Sequence, residues 1–232
     1  MNLKAERLQR VEALLGSEAL ERLSCYHVAL FGLGGVGGYT AQALARSAVG
    51  HITLVDGDRV VPSNINRQLV ANRETIGKYK TQVMQEMIEQ IDPQICVQTY
   101  PVFYDGSDNS PLQGADYIID AIDDVPAKIM LMRYALEHNI PMISSMGMGR
   151  RMDPGALAVM DISKTQMDPL AKRIRKLLRE QGIEKGITVV CSSEAPLQTH
   201  IPQVMGSFAP VVGAAGLMLA AQCVQDALQK GR

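Results

Sequence analysis

Tryptophan is absent from these 232 residues, and 13 methionines describe a soft core filled by adaptable aliphatic packing. Cysteine is scarce: Cys25, Cys96, Cys191 and Cys223 lie far apart and form no CxxC pair. That argues against a structural zinc site and, in a cytosolic setting, against disulfides. Charge of either sign is not in excess, since 23 Lys and Arg face 24 Asp and Glu for a net charge of −1. No global field draws nucleic acid, so any RNA contact has to come from a local patch. The N-terminal stretch MNLKAERLQRVEALLG is charged and amphipathic and lacks an apolar signal core, which predicts a cytoplasmic protein. Internal repeats, low-complexity tracts and long Pro/Gly/Ser linkers are absent as well.

What is present fits a globular chain: 47% hydrophobic and 20% charged residues, enough to bury a substantial core. The expected organisation is one domain over residues 1–232. It comprises a helical segment (1–24), a nucleotide-binding core (25–150), and a sheet extension with a C-terminal helix (151–232). The apolar run Phe208–Val224, FAPVVGAAGLMLAAQCV, falls short of the roughly 20 residues a membrane span needs and carries Gln222. It predicts a buried or subunit-interface helix and no membrane span; peripheral contact with a membrane surface stays compatible with it.

Periodicity predicts an amphipathic helix over Leu3–Leu23, with Leu8, Val11, Leu14 and Leu15 on one face. Strands follow at Val28–Phe31, Ile52–Val55, Ile95–Pro101, Tyr117–Ala121 and Met142–Ser145. Helices fall between them at Val36–Ser47, Thr81–Ile91 and Ala127–His138. Leu157–Met160 and Ile187–Cys191 read as strands flanking a charged helix, Pro169–Gln181. Alternating strands and helices mean right-handed crossovers: an α/β, Rossmann-like, mostly parallel sheet covered on both faces and extended at its C-terminal end.

The chemistry begins at Gly32-Leu33-Gly34-Gly35-Val36-Gly37, placed directly after a strand and opening a helix. Such glycines let the backbone turn tightly and approach a phosphate, and the helix N-terminus offers free N–H groups. Asp56 ends the second strand, where an acidic side chain commonly meets a ribose hydroxyl. To this point a nicotinamide-dependent dehydrogenase explains the residues equally well. The run Asp56-Gly57-Asp58-Arg59-Val60-Val61-Pro62-Ser63-Asn64-Ile65-Asn66-Arg67-Gln68 breaks the tie. Arg67 is a forked donor suited to a polyphosphate, Asn64 can fix an oxygen, and Lys80 adds a point charge. Asp123, in Asp120-Ala121-Ile122-Asp123-Asp124, can hold Mg²⁺ through one carboxylate. Phosphate transfer uses this many charged groups; hydride transfer does not.

The run D-x-D-x-V-x-x-S-N-x-N-R-Q, with G-x-x-K and D-A-x-D downstream, resembles the superfamily of ubiquitin-activating enzymes and their bacterial adenylating relatives. Within it the chain looks most like the tRNA threonylcarbamoyladenosine dehydratases. Ser144-Ser145-Met146-Gly147, Met152-Asp153-Pro154, Asp161-Ile162-Ser163-Lys164-Thr165, Asp168-Pro169-Leu170-Ala171 and Ser193-Glu194-Ala195-Pro196 carry that likeness. The resemblance implies ATP cradled by Gly32, Gly34, Gly35 and Gly37. Asp56, Asp58 and Asn64 would complete the nucleotide site, Arg67 and Lys80 would act on phosphates, and Asp123 would hold Mg²⁺. It further implies a homodimer in which Arg7, or Arg10 beside it, reaches the partner's site. A monovalent cation and a cysteine desulfurase or sulfur-acceptor system are compatible companions. Carrier-activating relatives usually hold zinc through two CxxC pairs, and their absence here favours the dehydratase branch.

Lys172, Arg175, Lys176 and Arg179 share one face of the charged helix, with Ile174, Leu177 and Leu178 opposite. A cationic face suits tRNA phosphates, which lend affinity without sequence specificity; a merely solvated helix face explains the same pattern. Arg150 and Arg151 would extend that patch or sit at the substrate entrance. Cys191, at a strand end, reads as a buried structural cysteine, and the four histidines show no metal spacing. The implied activity is ATP-dependent cyclising dehydration of threonylcarbamoyladenosine in tRNA. Its main alternative is adenylation of a ubiquitin-like sulfur carrier's C-terminus in thiamin or molybdopterin synthesis.

Overall fold

The computed structural model describes residues 3–229 and holds one seven-stranded sheet in the order β3-β2-β1-β4-β5-β7-β6. Residues 1–2 and 230–232 of the expected domain lie outside the described residues. The strands are β1 (His27–Phe31), β2 (His51–Val55), β3 (Cys96–Tyr100), β4 (Tyr117–Asp120), β5 (Met142–Ser145), β6 (Leu157–Asp161) and β7 (Thr188–Ser192). All neighbours pair in parallel except β6, which runs antiparallel on the edge beside β7. The fold is the expected α/β, mostly parallel sheet, and the late strands extend it. Central strands are apolar because helices cover both faces: β4 is buried throughout, as are Val28–Phe31 of β1.

The helices are α1 (Leu3–Leu15), α2 (Ser17–Ser24), α3 (Gly37–Arg46), α4 (Lys80–Ile91), α5 (Val125–Glu137), α6 (Pro169–Arg179) and α7 (Ala209–Gln229). The helix expected over Leu3–Leu23 is two helices. Gly16 lies between them at φ +87°, a left-handed conformation that ends the first helix where a glycine costs least. The two core layers lie on opposite faces of the sheet. One gathers α3, α4 and α7 over Leu30, Leu54 and Ile119; the other gathers α5 and α6 over Phe31, Ile118 and Val189.

Helix α7 is 21 residues long and apolar enough, by length and composition, to cross a membrane. Here it is a core helix: Val211, Val212, Ala215, Leu219, Ala220, Cys223 and Ala227 are buried. Gly216 lets it close on α3, since a Cβ there would sit 2.9 Å from Tyr39 Cβ, and Thr40 Oγ1 donates to Gly216 O at 3.0 Å. This contact fixes the helix that carries the glycine turn. Strand order reverses between β1 and β4, so the carboxyl ends of those strands open the crevice where open α/β sheets bind ligands.

Candidate nucleotide site

Residues that follow β1, β2 and β4 meet at this crevice. Gly32 follows β1 at φ +88°, donates to Val55 O at 2.8 Å, and packs so tightly on β4 that a Cβ would lie 2.6 Å from Ala121 O. A side chain at Gly37 would collide with Gly32 O, so these two glycines serve the turn's own packing. Gly34 has a different surrounding: a Cβ there would meet only Gln68 Nε2, at 3.8 Å. The N–H groups of Gly34, Gly35 and Val36 donate to no backbone carbonyl among the described residues. Gln68 is buried, and its Oε1 has no partner. Free N–H groups at a helix start are what a bound phosphate chain would complete, whereas the orphaned Gln68 Oε1 is an acceptor and needs a donor such as a hydroxyl or water.

Asp56 braces the turn from β2. Its Oδ2 accepts from Leu33 N at 2.6 Å and its Oδ1 from Asp58 N at 2.8 Å. Burial raises its pKa, and the nearby Lys80 charge and the two backbone donors oppose that rise. Lys80, buried at the start of α4, donates to Asp58 Oδ2 at 2.6 Å and lies 3.9 Å from Asp56. The polar segment between them is drawn closed: Val60 N donates to Lys78 O at 2.9 Å, Lys80 N to Asp58 O at 3.1 Å, and Arg59 stacks 3.8 Å over Tyr79. Asn64 is buried, and its Oδ1 accepts from Val61 N at 3.2 Å, so its carbonyl end closes a 3₁₀ turn. Arg67 donates to Ser63 O and Asn66 Oδ1, both at 2.9 Å, and its Cγ would lie 3.4 Å from a Cβ on Gly35. The aliphatic stem of Arg67 therefore lies against the glycine turn, and its guanidinium is held by neutral acceptors that a phosphate could replace.

Asp123 is exposed and enters no hydrogen bond or ion pair with the described residues, whereas Asp124 beside it caps α5 by accepting from Ala127 N at 2.9 Å. Among the described residues no group of three or more His, Cys, Asp or Glu is arranged to hold a metal ion. A single free carboxylate still fits Mg²⁺, which keeps several waters and binds through one or two carboxylates plus phosphates. Close by, the structure fully buries another acidic group, Asp120, which is absent from the expected site. Lys128 Nζ donates to Asp120 Oδ2 at 2.8 Å, to Ser144 Oγ at 3.1 Å and to Ser145 O at 2.8 Å. Ser144 Oγ donates to Asp120 Oδ2 at 2.6 Å, and Asp120 Oδ1 accepts from Ile122 N at 3.0 Å. Both ionic side chains are 0% exposed. Sequence offered a faint signal, a lone Lys on the apolar face of α5.

Other expected residues fall elsewhere. Arg7 pairs with Asp92 of its own chain at 2.5 Å and donates to Ala45 O at 3.1 Å. Ala45 and Asp92 mark the C-terminal ends of α3 and α4, whose N-terminal ends carry the glycine turn and Lys80. Within the chain Arg7 thus braces the C-terminal ends of α3 and α4, opposite the glycine turn. On α6, Lys172, Lys176 and Arg179 are exposed as expected, but Arg175 is half-buried and donates to Thr165 O at 2.9 Å and to Thr165 Oγ1. Arg151 is not at an entrance: it is 2% exposed and pairs with buried Asp168 at 3.8 Å. Arg150 adopts φ +58°, and its backbone N–H and C=O both bond to the loop over residues 193–208. Cys191 is 1% exposed, and burial, with Asp168 adding to it, pushes its pKa up to about 12. Cys223 is also buried; Cys25 and Cys96 are exposed next to the amino ends of β1 and β3, away from the crevice.

A model described as the ThiF family matches residues 7–232. The chain is 39% identical over 250 residues to the tRNA threonylcarbamoyladenosine dehydratase of Bacillus subtilis (strain 168), covering 96% of this chain and 95% of that one. The crystal structure of E. coli tRNA N6-threonylcarbamoyladenosine dehydratase, TcdA, in complex with AMP superimposes with a TM-score of 0.94 at 33% identity, over 99% of this chain and 97% of that one. The same enzyme in complex with ATP gives 0.92 at 32%, with the same coverage. Likeness to the sulfur carrier protein adenylyltransferase of Thermus thermophilus is 31% over 137 residues, 58% of this chain and 50% of that one. A glycine turn with free N–H groups, a polar segment folded back onto it, and a match running from the first helix to the chain's end place this chain in the ThiF family.

Proposed function

We propose that the protein catalyses ATP-dependent cyclising dehydration of N6-threonylcarbamoyladenosine in tRNA by activating the threonyl carboxylate. The observation that carries this reading is the end-to-end likeness to dehydratases, 96% of the chain for one of them, against 58% for a carrier adenylyltransferase. ATP would convert a carboxylate oxygen, a poor leaving group, into a phosphorylated or adenylylated one. The modification's own carbamoyl group then attacks the same carbonyl, and intramolecular proximity makes closure fast. One water's worth of atoms is lost, its oxygen leaving on the phosphate. No protein nucleophile is required, which agrees with the buried, protonated thiol of Cys191.

The chain's own residues would bind and stabilise charge. Gly34, Gly35 and Val36 N–H groups would cradle the phosphates, Arg67 and Lys80 would neutralise charge as it develops, Asp56 and Asp58 order Lys80, and Asp56 would bind the ribose. Asp123 would hold Mg²⁺, which supplies charge neutralisation at the phosphates when bound. Lys172, Lys176 and Arg179 would grip tRNA phosphates. A homodimer is part of the proposal: Phe208 just before α7 and Leu217 on it leave apolar surface, 38% and 53% exposed.

Mass spectrometry of nucleosides from threonylcarbamoylated tRNA, incubated with the protein, ATP and Mg²⁺, tests the reading. ATP-dependent loss of one water from the modified nucleoside is expected. No mass change despite clear ATP binding would refute it and point to the carrier-adenylating alternative.

A further inference from the structure

We infer that the buried pair Arg151–Asp168 is a positioning element that holds the cationic face of α6 in register with the nucleotide end of the sheet. A polyanionic RNA gripped by the helix would then present its modified base to the bound nucleotide. The inference rests on the proposed tRNA reaction.

Three segments meet at this pair, whose side chains are 1% and 0% exposed. Asp168 Oδ1 caps α6 by accepting from Ala171 N at 2.9 Å, and its Oδ2 accepts from Gly147 N at 2.9 Å in the turn after β5. Arg151 donates to Met167 O at 3.1 Å, just before α6, and to Glu194 O at the start of the 193–208 loop. Glu194 answers by accepting from Met152 N and Asp153 N, both at 3.0 Å through Oε2. Gly147 has no side chain to spare here: a Cβ would stand 3.2 Å from Asp168 Oδ2.

From this junction a run of direct contacts leads back to the glycine turn. Strand β5 carries Ser144, which bonds Asp120 at 2.6 Å, and the residue after Asp120, Ala121, is the one packed on Gly32. Burying two charges is a poor way to stabilise a fold, because apolar residues of like volume commonly do as well or better. Arg151 Nε, moreover, is buried with no partner, so the pair is not fully satisfied. What the two side chains supply is directional: the Arg151 fork bonds Met167 O and Glu194 O, the Asp168 carboxylate bonds Gly147 N and Ala171 N, and together they fix three segments against one another. One segment bears the exposed cations Lys172, Lys176 and Arg179, and another continues from the strand beside β4.

The test compares wild type with Arg151→Met/Asp168→Asn, which removes both charges together and keeps an acceptor for Ala171 N. Three quantities are read: kcat on threonylcarbamoylated tRNA, the Kd for ATP, and the salt dependence of tRNA binding. The expected result is a kcat lower by about tenfold to a hundredfold, as for a misplaced reacting group, with ATP affinity and salt slope unchanged. A kcat within about twofold of wild type would overturn the inference, as would ATP affinity falling in parallel with kcat, the mark of a merely structural role. If the double variant does not fold, Arg151→Lys decides: it keeps the charge but loses the planar fork whose two ends meet Met167 O and Glu194 O, and the same split is expected in milder degree. Wild-type protein that binds ATP yet dehydrates no tRNA would defeat the underlying reading before any variant is compared.

Discussion

Replacing Lys128 by Met removes the positive half of the one ion pair whose two side chains are both 0% exposed among the described residues. Its ammonium uses all three protons, on Asp120, Ser144 and Ser145, at 2.8–3.1 Å. Met fills nearly the same volume but leaves the Asp120 carboxylate buried with only Ser144 Oγ and Ile122 N as donors. Breaking a buried pair from one side costs about 3–5 kcal/mol, most of it the uncompensated charge. For a chain of this size each kcal/mol moves Tm by about 2–4 °C, so a fall of about 6–20 °C is expected. Thermal unfolding followed by circular dichroism measures it, with Asp120→Asn and the double variant completing the cycle. The double variant should lose less than the two singles added together, with a coupling of about 0.5–3 kcal/mol. A loss below about 1 kcal/mol in Lys128→Met, or strict additivity, would refute the reasoning.

Asp123→Ala should abolish ATP-dependent water loss while leaving the circular dichroism spectrum unchanged, because Asp123 is exposed and unpartnered among the described residues; retained turnover would remove its metal role. Alkylation of the native protein near neutral pH should label Cys25 and Cys96 but spare Cys191 and Cys223 until the chain unfolds, since burial holds the latter two as protonated thiols. Mass mapping of the labelled peptides decides this, and early labelling of Cys191 would contradict its burial. Lys176→Ala should reduce the salt slope of tRNA binding by about 1 without altering ATP affinity. An unchanged slope would move the RNA contact off α6.

The order of elements and the place of the glycine turn were legible because they depend on residues close in the chain. Buried parallel strands read as apolar runs, and Gly32-Leu33-Gly34-Gly35-Val36-Gly37 lies between strand and helix where a tight turn requires it. The error at Gly16 was also local, a helix periodicity continued through a residue that takes φ +87°. The pairing of Arg7 within its own chain is of another kind. Nothing near it in sequence announces Asp92, 85 residues away, as its partner.

By itself, then, the sequence determined the α/β class, the nucleotide crevice and the family, all carried by contiguous motifs whose backbone geometry follows from residue type. Tertiary structure alone decided which charges are buried. Asp120 and Ser144, 24 residues apart, meet only because β4 and β5 pair side by side. Arg151 and Asp168 become a junction only when the turn after β5, the start of α6 and the 193–208 loop close over them. A charged side chain reads in sequence as solvated by default; its desolvation is set by neighbours brought in from distant segments, and those neighbours are the fold itself.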